Sequence, residues 1–165
     1  MRRLAALLAV LAGGAATAQA ASPPKPTLPM PLPQTGSALA VSVPATAGAR
    51  RVTLKLTMRY EMQCGWPGAG PLVVSLPAAM RVVPHSITRA VVSLDGKPPA
   101  TVSVSGRVIV FTLPPRRGVT CMEIGPGALT VVFAPAAGIG NPAKAGTYRI
   151  AVRIGAHSFT ARLTV

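Results

Sequence analysis

Residues 51–62, RVTLKLTMRYEM, alternate without a break. Val52, Leu54, Leu56, Met58, Tyr60 and Met62 share one parity, and Thr53, Lys55, Thr57, Arg59 and Glu61 share the other. A period of two over this length predicts a strand with one buried face, and Thr mixed with charge on the other side suits an antiparallel sheet meeting water. Residues 147–154, TYRIAVRI, repeat the pattern. Tyr148, Ile150, Val152 and Ile154 point one way, while Arg149, Ala151 and Arg153 put positive charge on the outer side. The turn before them, residues 138–146, has permissive backbone at Gly138, Gly140 and Gly146, and Pro142 restricts Asn141 to extended conformations. Further strands are expected at 38–43, ended by Pro44; at 72–76, stopped by Pro77; and at 88–94, before the tight-turn pair Asp95-Gly96. A hairpin at 101–104 and 108–113 flanks Ser105-Gly106-Arg107, and strands at 128–133 and 158–165 complete the set. Short strands with turn signals about every eight to twelve residues, and no helical period between them, predict an all-β sandwich or barrel. Residues 50–165 match the size of an immunoglobulin-like antiparallel β-sandwich of about eight or nine short strands.

The N-terminus reads as an address. Met1-Arg2-Arg3 is a basic start, residues 4–12 are apolar but too short to span a bilayer, and Ala18-Gln19-Ala20 is an A-x-A cleavage pattern. Residues 1–20 are therefore expected to be a bacterial signal peptide and the mature chain to be exported, to the periplasm or the cell surface, without a transmembrane anchor. No cysteine lies near the cleavage point to make a lipoprotein. Residues 21–49 hold a proline-rich spacer and a possible first strand. In SPPKPTLPMPLPQTG, residues 22–36, the prolines fix φ and remove amide donors, which predicts an extended polyproline-like linker. Residues 32–36, LPQTG, match a sortase sorting motif, but 129 residues follow where such a signal needs a C-terminal position.

Composition changes the picture in two ways. Aromatic residues are only 4%, so the core must be aliphatic, each buried side chain contributing roughly 1.5–3 kcal/mol. Charge is lopsided: without Arg2 and Arg3, 15 basic residues face 3 acidic ones, a net +12. Such a field favours anionic partners such as wall polymers, lipopolysaccharide or extracellular DNA, within the reach that salt screening allows. The basic stretches lack aromatic residues for base stacking, so specific nucleic-acid binding is not expected. Arg50, Arg51, Arg116 and Arg117 fall beside predicted turns and are the candidate anion-binding residues.

The inventory for catalysis is thin. The acids are Glu61, Asp95 and Glu123 and the histidines His85 and His157. A triad or carboxylate pair needs several such groups converging, and a zinc site needs three or four ligands. A non-enzyme without cofactor or metal is expected. Cys64 and Cys121 are the two cysteines, and in an oxidising compartment they are expected to form a disulfide worth roughly 4 kcal/mol on a chain-entropy view. Soft sulfur ligands at Met58, Met62, Cys64, Cys121 and Met122 leave periplasmic Cu(I) binding as a distant alternative.

Several blocks carry a likeness to a known family. Ser75-Leu76-Pro77, Val83-Pro84, Ile87, Val92-Ser93-Leu94-Asp95-Gly96, then Gly138-Ile139, Asn141-Pro142 and Gly146-Thr147-Tyr148 follow one another in order. This series resembles the immunoglobulin-like β-sandwich modules of S-layer-associated and other secreted bacterial cell-envelope proteins, over residues 51–165. The resemblance implies a non-catalytic structural or interaction module, with an unknown envelope protein or anionic polymer as partner and no catalytic residues to transfer. The cysteine pair and the strong positive charge depart from that family's pattern.

Overall fold

A computed structural model describes residues 36–63, 70–113, 124–155 and 157–165, with side chains for all of these except 61–63 and 124–126. The alternating segments are strands: β1 (Ser37–Val43), β2 (Thr53–Gln63), β3 (Leu72–Ser75), β4 (Val92–Leu94), β5 (Thr101–Ser105), β6 (Val108–Thr112), β7 (Ile124–Phe133), β8 (Thr147–Ile154) and β9 (His157–Thr164). Short 3-10 turns occupy Pro84–Ser86, Arg89–Val91 and Pro135–Ala137. Two boundaries differ from expectation. Arg89–Val91 coils before β4, which shortens that strand to three residues. β7 starts at Ile124, because pairing along the whole of β2 carries Gly125, Pro126 and Gly127 into the ladder despite their poor strand propensity. The Asp95-Gly96 turn has positive φ at both residues (48° and 79°), as a two-residue hairpin requires, and Asp95 Oδ1 accepts a hydrogen bond from Thr130 N at 2.7 Å.

The strands form one hydrogen-bonded sheet in the order β4-β7-β2-β1-β9-β8-β3-β6-β5. The all-antiparallel expectation is corrected at one place: β1 runs antiparallel to β2 but parallel to β9, meeting it at Leu39 and Arg162. β1 and β9 are the first and last strands, joined by no hairpin, so no turn dictates their relative direction. Expected parity holds elsewhere. Val52, Leu54, Leu56, Met58 and Tyr60 are buried while Lys55 and Arg59 are exposed; Ile150, Val152 and Ile154 are buried while Arg149 and Arg153 are exposed.

One apolar face on nine strands can be hidden only by curling. Phe111 of β6 and Phe133 of β7 stand six inter-strand steps apart, about 29 Å along a flat sheet. Their ring centroids are 5.8 Å apart, tilted by 53°. The two flanks therefore face each other across a single aliphatic core that includes all three phenylalanines.

β1 inverts the usual rule. Ala40 and Ser42 point into the core, following Gly36 and the half-buried Ala38, while Leu39, Val41 and Val43 point to solvent at 59%, 42% and 63% exposure. The cause lies beneath the strand. Tyr60 of β2 and Phe159 of β9, on either side of β1, bring their rings to 5.0 Å under it. A Cβ at Gly36 would collide with the Phe159 ring, and two residues along Ala38 pairs with Met58. At Gly36 no side chain fits between these neighbours, which sets the parity of the strand that follows. Tyr60 Oη there, and Ser42 Oγ toward the other end of β1, are buried without a hydrogen-bond partner among the described residues.

The glycine-rich turn moors the chain that follows β1. Asn141 is fully buried and donates through Nδ2 to Pro44 O and Thr46 O, both at 2.9 Å. Its backbone N–H donates to Ala49 O at 2.8 Å, Gly48 N–H to Pro142 O at 2.7 Å, and Val52 N–H to Ile139 O at 2.8 Å. Gly138 sits at φ 71°, where an added Cβ would lie 2.9 Å from Val83 Cβ.

Three outcomes follow from this packing. Asn141→Ala should lower stability by about 1–3 kcal/mol, a Tm drop of roughly 5–10 °C, by removing the donor to the Pro44 and Thr46 carbonyls. Asn141→Asp, isosteric but without donors, should be at least as damaging; thermal melts of both variants check this. Ala40→Leu should destabilise by about 1–3 kcal/mol through overpacking, whereas Leu39→Ser should stay within about 0.5 kcal/mol, by urea denaturation. Burial, with the Asp95 carboxylate second, raises the Tyr60 phenol well above its ordinary pKa. The unfolded chain then releases this proton at about pH 10 and the folded chain holds it, so stability falls as pH rises beyond about 10. The Tm difference between wild type and Tyr60→Phe should be small at pH 7 and move in favour of Tyr60→Phe above pH 10.

Candidate functional site

The outer face around β1 gathers exposed cations by register. One row across the sheet reads Thr130, Thr57, Leu39, Arg162 and Arg149, each the cross-strand partner of the next. On one side the next row is Val132, Lys55 and Val41, and on the other Ala128, Arg59 and Ser37. Farther along β8, Arg153 pairs with Ser158 of β9 and Val73 of β3. Lys55, Arg59, Arg149, Arg153 and Arg162 are all exposed. The alternation that buries the aliphatic residues puts every one of these cations on the opposite side.

Arg149 and Arg162 stand directly opposite each other, about 5 Å apart at Cα, a like-charge pair that is unfavourable by itself. The one acid with a described side chain, Asp95, lies in the β4–β5 turn and is engaged with Thr130 N–H. On the same face a shallow hollow of about 640 Å³ opens, lined by residues of β1 and β2, among them Leu39, Val41, Lys55, Thr57 and Arg59, and by Thr130 of β7. Such an arrangement can attract and hold an anion, through charge-assisted hydrogen bonds of the bidentate kind that guanidinium groups make with phosphate or carboxylate.

The residues singled out from the sequence fare unevenly. Arg50 and Arg51 are exposed in the β1–β2 loop, with Arg51 in the left-handed region at φ 55°. They are joined there by the exposed Arg81, whose Cβ and the Cα of Arg50 both flank Gly140. Arg116 and Arg117 lie outside the described residues, so their meeting with Arg50 and Arg51 is not part of the described site. Cys64, Cys121 and Met122 also lie outside them, and with them the expected disulfide; Met58 is a fully buried core residue. Among the described residues no three His, Cys, Asp or Glu gather as metal ligands. His85 is exposed in the Pro84–Ser86 turn, and His157 packs its ring 5.2 Å from Tyr60. No described helix is long and apolar enough to cross a membrane.

Sequence reasoning missed Lys55, Arg59 and Arg162 as site residues. Their outward parity was readable, but their convergence depends on β1 and β9 being neighbours, which no local pattern encodes. Comparison with protein-family profiles and with curated proteins finds no match to this chain.

Proposed function

We propose that the chain is an exported, non-catalytic, immunoglobulin-like β-sandwich module of the bacterial cell envelope that binds anionic envelope polymers on its basic outer face. The observation that carries this reading is the set Lys55, Arg59, Arg149, Arg153 and Arg162, on one exposed face without a facing acid among the described side chains. Wall polymer or lipopolysaccharide suits the face better than nucleic acid, because no aromatic ring among the described residues stands in these rows to stack a base. The sandwich part of this reading is supported by the Phe111–Phe133 contact, which brings opposite flanks of the curled sheet face to face. Export to the periplasm or cell surface rests on the signal-peptide pattern of residues 1–20. Both that pattern and the proline-rich stretch up to residue 35 lie outside the described residues.

The test is retention on a heparin-like resin. Wild type should elute only at raised salt, and Arg149→Gln/Arg162→Gln should elute distinctly earlier while keeping its Tm, since it relieves a like-charge pair. Lys97→Gln/Arg107→Gln, at exposed turn positions elsewhere, serves as control. Equal loss from the control pair would show that net charge alone, and not this face, does the binding.

A further inference from the structure

We propose that the outer face of β1 docks on an anionic lipid surface, with Leu39, Val41 and Val43 entering the apolar edge of the headgroup layer and Lys55, Arg59 and Arg162 holding headgroup phosphates. The inference rests on the anion-binding reading above and narrows it to an acyl-bearing anion. Its ground is the inversion of β1. Three large apolar side chains at alternate positions stand 42–63% exposed, in a strand whose inward positions are Ala38, Ala40 and Ser42. They form a strip about 13 Å long. Cations border it on both sides: Lys55 pairs with Val41 and Arg59 with Ser37 on the β2 side, and Arg162 pairs with Leu39 on the β9 side.

Charge decides which occupant covers the strip. A second copy laid face to face would set Lys55, Arg59 and Arg162 against the same cations, which opposes self-association. A wholly hydrophilic polyanion would satisfy the cations and leave the three apolar side chains in water. An anionic lipid surface satisfies both, because long Lys and Arg side chains reach out to phosphates while shorter apolar ones sink below them. Beyond Val43 the chain continues into the loop that carries the exposed Arg50 and Arg51.

Co-sedimentation with vesicles tests this, using phosphatidylcholine alone and phosphatidylcholine with about a third phosphatidylglycerol. The purified protein should bind the mixed vesicles and not the neutral ones. Leu39→Ser/Val41→Ser should weaken vesicle binding at least about tenfold, its Tm confirming an intact fold, and Val43→Ser, outside the hollow, should weaken it about threefold while leaving the heparin elution salt unchanged. Lys55→Gln/Arg162→Gln should weaken both. Heparin retention without vesicle binding overturns the lipid inference and leaves the polyanion reading standing, while failure of both assays removes both. Wild-type vesicle affinity in Leu39→Ser/Val41→Ser, or equal binding to neutral vesicles, also overturns the lipid inference.

Discussion

The contact of Tyr60 with Phe159 beneath β1 governs much of this molecule. The two rings belong to strands that flank β1, and they can approach to 5.0 Å only because the strand between them turns small side chains inward. This closes the aliphatic core at the point where the sheet changes from its β4-β7-β2 flank to its β9-β8-β3-β6-β5 flank. It also fixes the parity of β1. With Gly36, Ala38, Ala40 and Ser42 committed to the inside, Leu39, Val41 and Val43 have no place but the surface. A slip of one residue would bury the large side chains and expose the small ones, which transfer energies alone would favour. Steric exclusion by the Tyr60–Phe159 pair outweighs that preference.

The position of β1 is held from its far end as well. After Val43 the chain passes through Pro44 and Thr46, whose carbonyls Asn141 ties down from the fully buried interior. A carboxamide can do this because one Nδ2 carries two donors, and the Gly138–Asn141 backbone brings it close enough. The turn before β8 thereby fixes the loop between β1 and β2. The outer-face cations on β2, β8 and β9 then come into register around one strand. A surface property thus depends on a buried amide 97 and 95 residues away along the chain from the two carbonyls it holds.

Local pattern made most of the strands legible. Period two in residues 51–62 and 147–154 located β2 and β8 and assigned their faces, and Asp95-Gly96 marked a real two-residue turn. What stayed hidden was long-range. Nothing near residue 39 signals that the final strand lies parallel beside it, so neither the mixed sheet nor the meeting of Lys55 and Arg59 with Arg162 could be read. The faces of β1 were opaque for a different reason. Hydrophobicity alone would have turned Leu39 inward, and only the ring pair on two other strands reverses the choice. Asn141 was noticed for its backbone, as the residue before a proline, while its side chain does the tying. Arg50 and Arg51 were found because they sit next to a turn, but the denser set of cations lies on strand faces.

The cost of the basic face argues for its use. Arg149 and Arg162 repel each other across β8 and β9, and replacing both by Thr would give the kind of neutral cross-strand pair already present at Thr147 and Thr164, whose hydroxyls meet at 3.2 Å. Solubility could be met by mixed charges, which would lower repulsion while keeping the surface hydrated. A face that keeps guanidinium opposite guanidinium, beside an apolar strip that the fold itself forces outward, is what the proposed anionic partner would neutralise and cover. Binding of an anion there would relieve the repulsion in the folded state alone, so occupancy and stability would rise together.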